Sequence, residues 1–449
     1  MNIDELKPIF AGKRCVILGI GREGRVWLDI LQRLGVCAEI AVADVRAQDI
    51  SSLCGSEVKC IFGEDYLKRI GGYDLILQSP GVIIKDSLSA SEKSRILSQT
   101  ELLLRLKPCR IIGVTGTKGK STTSSLINHL LSRCGFKTML IGNIGVPPLK
   151  RLEEMTPDTI AVCELSCHQL EFVRHSPQTA VLLNIFPEHL DHYVSFNAYV
   201  EAKRNILRFQ GEGDRAFVNA DVISAAGERA NPTAGRISTC AFGREADVWT
   251  DGESICLYGQ KIPRERIRTP LLGKHNMYNI AVALAAAIGE GADLSSCLDA
   301  LASFSGLEHR LEHVADINGV EWVNDSICTI PEAAIAAVNA FDETDCIILG
   351  GMDRGIPYDA LGDFLNTGRV RNVILLPDSG RRIGALITSP DVNVVYADNM
   401  EQAVSYAART AKKRVLLSPA SASYGFYKNF EERGQHFKSL VTAVSEGAL

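Results

Sequence analysis

The sequence predicts an α/β fold in three domains, each built on strands that lie parallel in a sheet. Three observations predict it. Apolar segments of strand length alternate with helical stretches along the whole chain, a pattern that favours parallel strands joined by crossover helices. Two of those strands run straight into Gly-rich turns that open helices, at residues 19–24 and 113–121. The chain has 449 residues, about three times the roughly 150 that a typical domain holds.

The first block, residues 1–106, opens with a strand at 14–18, the turn Gly19-Ile20-Gly21-Arg22-Glu23-Gly24, a helix to about Leu34, and a strand at 38–43 ending at Asp44. Shorter segments continue to a strand at 74–77 and the turn Ser79-Pro80-Gly81, and Lys107-Pro108 reads as a junction. The second block, 107–306, begins with the other Gly-rich turn and places strands at 138–141, 160–164 and 180–184 between helices. An Ala-rich helix at 277–288 lies near its end. The third block, 307–449, alternates strands at 346–349, 373–376, 394–396 and 415–417 with helical stretches, again an α/β layout.

Composition narrows the function classes. A hydrophobic fraction of 46% and a charged fraction of 22% are ordinary for a soluble globular chain. A net charge of −5 without basic clustering argues against a nucleic-acid surface. The longest apolar runs, such as 280–288, fall far short of the ~20 residues a membrane helix needs. The opening Met1-Asn2-Ile3-Asp4-Glu5-Leu6 has no apolar core of the kind a secretory signal carries. Thirteen cysteines are scattered without a framework, and the Cys163/Cys167 pair has no partners to complete a zinc set. A reduced cytoplasmic enzyme is expected, with no nucleic-acid or membrane partner.

The segment Ile111-Ile112-Gly113-Val114-Thr115-Gly116-Thr117-Lys118-Gly119-Lys120-Ser121-Thr122-Thr123 carries the strongest chemistry. An apolar strand enters a Gly-rich turn, and a helix follows with Leu126, Ile127, Leu130 and Leu131 on one face. Backbone N–H groups of such a turn, with the positive helix end, surround phosphates. Lys120 can set its charge on β and γ oxygens, and the Ser121 hydroxyl can ligate Mg²⁺. The spacing departs from the strict G-x-x-x-x-G-K-[ST] form, because Val114 stands between the glycines at 113 and 116. The segment predicts an ATP site made by Gly116, Thr117, Lys118, Gly119, Lys120, Ser121 and Thr122.

The N-terminal turn is a dinucleotide fingerprint by itself: Gly19-x-Gly21-x-x-Gly24 follows a strand, and Asp44 ends the next strand twenty residues on. It supports a Rossmann-like domain and raises an NAD-dependent oxidoreductase as the rival reading. A dehydrogenase has no use for the phosphate loop at 113–121, whereas another nucleoside-diphosphate ligand would use the same turn.

Two further strand ends in the central block are polar. Glu164 closes an apolar strand, where a carboxylate can face a metal–nucleotide or cap a helix. Asn184-Ile185-Phe186-Pro187-Glu188-His189-Leu190-Asp191-His192 closes another, and ligands gather at the carboxyl ends of parallel strands. Lys203, ten residues after Tyr193, reads by spacing alone as a surface lysine on an amphipathic helix.

These segments, taken in order, resemble the Mur ligases of peptidoglycan synthesis. The resemblance runs through Thr115 to Thr123, Gly142-Asn143-Ile144-Gly145, Glu164-Leu165-Ser166, 184–191, Gly273 to Asn279, His309-Arg310-Leu311-Glu312 and Asn324-Asp325-Ser326. Leu349-Gly350-Gly351-Met352-Asp353-Arg354, and 417–423 through Phe430-Glu431-Glu432-Arg433-Gly434, point to the glutamate-adding branch.

The resemblance implies an N-terminal Rossmann-like domain for a UDP-sugar, a central P-loop ATPase domain and a C-terminal Rossmann-like amino-acid domain. It implies ligation of glutamate to UDP-N-acetylmuramoyl-L-alanine with ATP, through an acyl phosphate. Lys120, Asn143, Glu164, His189 and Lys203 take catalytic positions. Ser121 and Glu164 would hold one Mg²⁺, and His189 with a carbamylated Lys203 a second. Asn276, Asn279, Arg310 and Asp325 fall at nucleotide contacts, the last two after domain closure. Gly21, Arg22, Glu23, Gly24, Asp44, Arg46, Ser79 and Gly81 fall at UDP-sugar contacts. Thr329, Arg354, Ser423 and Phe430 form the acceptor pocket, and the family default is a monomer.

Folylpolyglutamate synthases share the ATPase part but leave residues 1–105 without a place. At the acceptor end the chain departs from the common D-glutamate pattern. Asn324-Asp325-Ser326-Ile327-Cys328-Thr329 lacks the usual lysine, Arg354 stands where a lysine is common, and Ser423-Tyr424-Gly425-Phe426 replaces Ser-aromatic-Asp. D-glutamate is the expected acceptor, with L-glutamate the alternative.

Overall fold

The computed structural model describes residues 1–47, 50, 53, 57–84, 87–188, 192–224, 233–271 and 273–449. It separates into two compact units: residues 1–269 with 274–304, and 270–273 with 305–449.

Among the described residues, the first unit contains two sheets. The N-terminal sheet has five parallel strands, β1 (Arg14–Leu18), β2 (Glu39–Asp44), β3 (Lys59–Phe62), β4 (Leu75–Gln78) and β5 (Ile96–Ser98), in the order β3-β2-β1-β4-β5. Val16 pairs with Ala41 on one side and Ile76 on the other, so β1 is central and apolar on both faces. This is why its sequence reads as an uninterrupted apolar run. The chain reverses direction across the sheet beside β1, and its carboxyl end opens onto the turn at 19–24.

The second sheet has nine strands: β6 (Arg110–Thr115), β7 (Lys137–Gly142), β8 (Thr159–Glu164), β9 (Thr179–Leu182), β10 (Arg215–Asn219), β11 (Arg236–Phe242), β12 (Val248–Thr250), β13 (Ile255–Leu257) and β14 (Gln260–Ile262). Their order is β14-β13-β12-β11-β10-β9-β6-β8-β7. The strands from β7 to β12 are parallel to their neighbours, and β12, β13 and β14 form an antiparallel meander at one edge. The helix Lys120–Arg133 packs beside the helix Lys274–Gly289, which is buried along Met277–Ala287. One continuous apolar core joins residues of both sheets, from Leu6, Phe10 and Trp27 to Leu149, Leu152 and Leu170.

The second unit has six strands, β15 (Glu312–Ile317), β16 (Val320–Asn324), β17 (Cys346–Gly351), β18 (Asn372–Asp378), β19 (Asn393–Tyr396) and β20 (Arg414–Leu417), in the order β15-β16-β20-β17-β18-β19. Only β15 runs antiparallel to its neighbour. Each face of this sheet carries its own apolar cluster, one around Leu349, Leu375 and Leu416 and one around Trp322, Ile348 and Phe437.

The α/β class and parallel strands agree with the sequence reading. Strands expected at 14–18, 160–164 and 415–417 occur within a residue of those bounds. The strand expected to run through Asn184 ends at Leu182, because Leu183 onward turns to meet the phosphate loop.

Candidate functional site

The phosphate loop lies at the carboxyl end of β6, between strands β8 and β9. Its glycines are required by their surroundings. Gly119 has φ +84°, and a Cβ there would lie 2.6 Å from Asn279 Oδ1; a Cβ on Gly116 would lie 3.0 Å from Leu183 Cβ. The turn is held from the β9 side: Thr117 N–H donates to Asn184 O at 2.9 Å, and Lys118 N–H to Asn184 Oδ1 at 2.8 Å. The Asn184 amide returns a bond to Lys118 O at 3.0 Å. Lys120 Nζ curls over the turn and donates to Gly116 O and Thr117 O, both at 2.9 Å. Burial lowers its pKa, against the charges of Glu164 and Glu188. Ser121 and Thr122 open the helix directly behind it.

Glu164 ends β8 with its side chain 1% exposed. Its Oε1 accepts from Asn143 Nδ2 at 2.7 Å, while Oε2 is buried with no hydrogen-bond partner among the described residues. Asn143 is fixed by its own N–H to Glu164 O at 2.9 Å, an approach that needs a glycine before it. A Cβ on Gly142 would lie 2.2 Å from that same carbonyl. A buried carboxylate oxygen without a donor is costly, and a hard divalent cation is the partner that suits it.

Lys203 is not a surface lysine. On the helix Phe196–Arg208 it is 1% exposed, donates Nζ to Gly116 O at 2.8 Å, and sits over the Tyr199 ring at 4.8 Å. Burial, then the nearby charge of Lys120, push its pKa down to about 8. Both lysines therefore converge on the same loop carbonyl. Of the histidines at the end of β9, His192 is buried with Nε2 3.0 Å from Glu171 Oε2. His189, Leu190 and Asp191 lie outside the described residues.

Asn279 Nδ2 donates to Asn276 Oδ1 at 2.9 Å on the first turns of Lys274–Gly289, against Gly119. Two loop-holding residues were not singled out as site residues from sequence. The Tyr199 hydroxyl lies 2.8 Å from Thr117 Oγ1, and Asn184, just past the end of β9, braces the loop. The i, i+4 spacing of Tyr199 and Lys203 puts both on one helix face, which was the available signal.

At the N-terminal turn, Gly24 allows the helix Arg22–Leu34 to approach β1, since a Cβ there would lie 1.9 Å from Gly19 O. Gly21 and Gly81 have open space beside them. Ser79 Oγ donates to Gly19 O at 2.8 Å, and Asp44 accepts from Ile20 N and Arg46 N, each at 3.2 Å. Arg22 bonds to Gly145 O beside the Asn143 turn. Glu23 points inward, with Oε1 accepting from Gln169 Nε2 at 3.0 Å. Burial pushes its carboxyl up to about 7.

In the second unit, Asp325 is buried and accepts from Ser418 Oγ at 2.8 Å; burial pushes it up to about 7, against the charge of exposed Arg310. Arg354 is exposed, with Nη2 donating to Thr329 O at 2.9 Å. Ser423 is buried, and the Phe430 ring meets His309 edge-on at 6.1 Å. Phe430 O accepts from Ser326 Oγ at 2.8 Å, so the loops that follow β16 and β20 are tied near the acceptor residues.

Comparison with known proteins identifies the family. Residues 114–287 match the family model for the Mur ligase middle domain, and residues 309–421 that for the Mur ligase glutamate ligase domain. The chain is 34% identical to the UDP-N-acetylmuramoylalanine--D-glutamate ligase of Acetivibrio thermocellus, over 99% of each chain. It is 34% identical to the enzyme of the same name from Symbiobacterium thermophilum, over 96% of this chain and 98% of that one. Among solved structures, UDP-N-acetylmuramate-alanine ligase from Thermotoga maritima shares the fold with TM-score 0.60 and 16% identity, covering 96% of this chain and 100% of the other. The Thermotoga maritima MurF ligase, solved with ADP, gives TM-score 0.56 at 19% identity, covering 99% and 97%.

Proposed function

The chain belongs to the Mur ligase family, and on that premise we propose that it joins D-glutamate to UDP-N-acetylmuramoyl-L-alanine with ATP. Relatives of that activity align with it end to end, residues 1–105 included, which leaves no room for a folylpolyglutamate synthase. The NAD reading of residues 19–24 gives way on the same ground.

The observation that carries the reading is the convergence of Lys120 and Lys203 on one Gly-rich turn, with the charge of Glu164 acting on both. The donor carboxylate attacks the γ-phosphorus of ATP, forming an acyl phosphate and releasing ADP. The neutral amine of glutamate then attacks the acyl carbon and loses a proton, and the tetrahedral intermediate expels phosphate to leave the amide. Phosphoryl transfer of this kind is catalysed by positioning and charge. Lys120 supplies a fixed cation to the γ-phosphate, and Asn143 positions the reacting oxygens. Ser121 and Glu164 would hold a Mg²⁺, which the unpartnered Glu164 Oε2 suits, and its charge would offset that of the transferring group.

Carbamylation of Lys203 needs a neutral amine, and a pKa near 8 in a buried setting supports it. With His189, that carbamate would serve a second Mg²⁺. Asn276, Asn279, Arg310 and Asp325 are read as nucleotide contacts. The turn at 21–24, with Asp44, Arg46, Ser79 and Gly81, is read as the UDP-sugar site, and Thr329, Arg354, Ser423 and Phe430 as the acceptor pocket. Three functional parts follow, residues 1–106, 107–306 and 307–449, in a cytoplasmic monomer.

Phosphate release with UDP-N-acetylmuramoyl-L-alanine, ATP and a panel of amino acids tests the reading, with each glutamate enantiomer supplied separately. D-glutamate should give the highest turnover. Greater activity with L-glutamate overturns the choice of enantiomer, and no release with either overturns the function.

A further inference from the structure

The C-terminal sheet carries a cavity of about 320 Å³ beyond the carboxyl ends of β17 and β18, with Gly351, Leu376, Met400, Ser423, Phe426 and Arg433 in its lining. Such a position collects ligands in open α/β sheets, where a strand is flanked by connections running opposite ways. Here β17 lies between β18 and β20.

Arg433 sets this cavity apart. It is 1% exposed, on the first turn of the helix Phe430–Ser445. Its guanidinium donates from Nε to Ser326 Oγ at 3.0 Å, from Nη1 to Ser421 O at 3.0 Å and from Nη2 to Ser326 O at 2.7 Å. All three acceptors are neutral, and among the described residues no carboxylate forms an ion pair with it. Three of its five N–H groups are thereby used. The carboxyl whose charge reaches it is Asp325, itself pushed up to about 7 by burial and so only partly ionised at neutrality. Gly351 lets the guanidinium lie against the strand end, since a Cβ there would lie 3.1 Å from Nη1. Asp398 and Glu401 also line the cavity, but both are exposed, where solvent screens them. A buried cation without a counter-charge is costly, and a forked guanidinium suits a carboxylate.

We propose that Arg433 selects an acceptor bearing a second, side-chain carboxylate, which enters this cavity past Ser423. The inference rests on the acceptor reading above and divides the labour: exposed Arg354 meets one carboxylate, and buried Arg433 the other.

The test compares kcat/KM for glutamate and glutamine, which differ only in that second carboxylate, in the wild type, Arg433→Lys, Arg433→Gln and Phe426→Glu. The wild type should favour glutamate strongly, because a site built for a charged group rejects the neutral analogue. Arg433→Gln should lower the glutamate-to-glutamine ratio by a factor on the order of 100. Arg433→Lys should slow both acceptors and keep the ratio within a few-fold. Phe426→Glu puts a carboxylate on the half-exposed cavity wall without touching the hydrogen bonds of Arg433. It should lower the ratio about tenfold, and it decides the matter if Arg433→Gln does not fold. A ratio unchanged in both Arg433→Gln and Phe426→Glu overturns the proposal and leaves Arg433 as a structural clasp. Wild-type enzyme inactive with glutamate overturns instead the acceptor reading on which it rests.

Discussion

Two lysines with different burdens share one loop. Lys120 donates to Gly116 O and Thr117 O, so it already lies along the concave side of the turn where a phosphate would replace those carbonyl contacts. Lys120→Ala should lower kcat by on the order of 10³ at saturating ATP, the scale on which a fixed cation acts in phosphoryl transfer. Phosphate release measures it, and turnover within tenfold of wild type removes Lys120 from the chemistry. Lys203 behaves otherwise, because its amine is held near pKa 8. With the ordinary value at 10.5, the folded state binds fewer protons than the unfolded chain between about 8 and 10.5. Unmodified Lys203 therefore weakens the fold as pH falls through that window, and its effect is constant below it. About a tenth of the amine is neutral at pH 7 and about nine-tenths at pH 9. At fixed dissolved CO₂ the carbamate signal from ¹³C-bicarbonate should grow over that range, vanish in Lys203→Ala, and leave that variant open to partial rescue by short carboxylates. A fully active Lys203→Ala without additives ends the assignment. The sequence showed the phosphate loop because strand, glycines and Lys-Ser are contiguous in it. It could not show the burial of Lys203, which depends on a helix folding back over Gly116, 87 residues away.

Elements were legible where both faces are buried. β1, β6, β8 and β17 are apolar runs, and turn residues mark their ends. The meander β12, β13 and β14 escaped notice because each strand has three residues and pairs at a sheet edge, too short for any periodicity. β15 was missed for a related reason: it is the half-exposed antiparallel edge, with a register shift between His313 and Ala315. The Gly-rich turn at 19–24 was found with its strand and helix, and its tightest glycine now has a measurable role. Gly24→Ala would set a Cβ 1.9 Å from Gly19 O, a backbone atom that cannot move without shifting β1 or the helix Arg22–Leu34. The variant should lose about 2 kcal/mol of stability in urea unfolding. Its KM for the UDP-sugar should rise at least tenfold while that for ATP stays within twofold. Equal changes in both would mean that the turn serves the whole unit and not one ligand.

At the scale of the molecule, the two Gly-rich sites are not equally separable from what surrounds them. Residues 1–106 and the central sheet share one core: Leu6, Phe10, Trp27, Leu102 and Leu103 cluster with Leu149, Leu152, Met155 and Leu170. Buried polar bonds cross the same boundary. Gln99 Oε1 accepts from Leu149 N at 3.1 Å, and Gln169 Nε2 donates to Glu23 Oε1 at 3.0 Å. Cutting between 106 and 107 would uncover that apolar surface and strand those polar groups, each of which costs about 1–3 kcal/mol when left buried without a partner. Residues 305–449, by contrast, bury both faces of their sheet with their own side chains, around Leu349 and Leu375 on one and Trp322 and Phe437 on the other. A fragment 305–449 should therefore be soluble and unfold cooperatively in urea. A fragment 1–304 should also fold, and a chain beginning at residue 107 should aggregate. Circular dichroism and size-exclusion chromatography of the three fragments decide it. A soluble, cooperatively folded chain from residue 107 would mean that the shared core is dispensable and that the central sheet folds without residues 1–106.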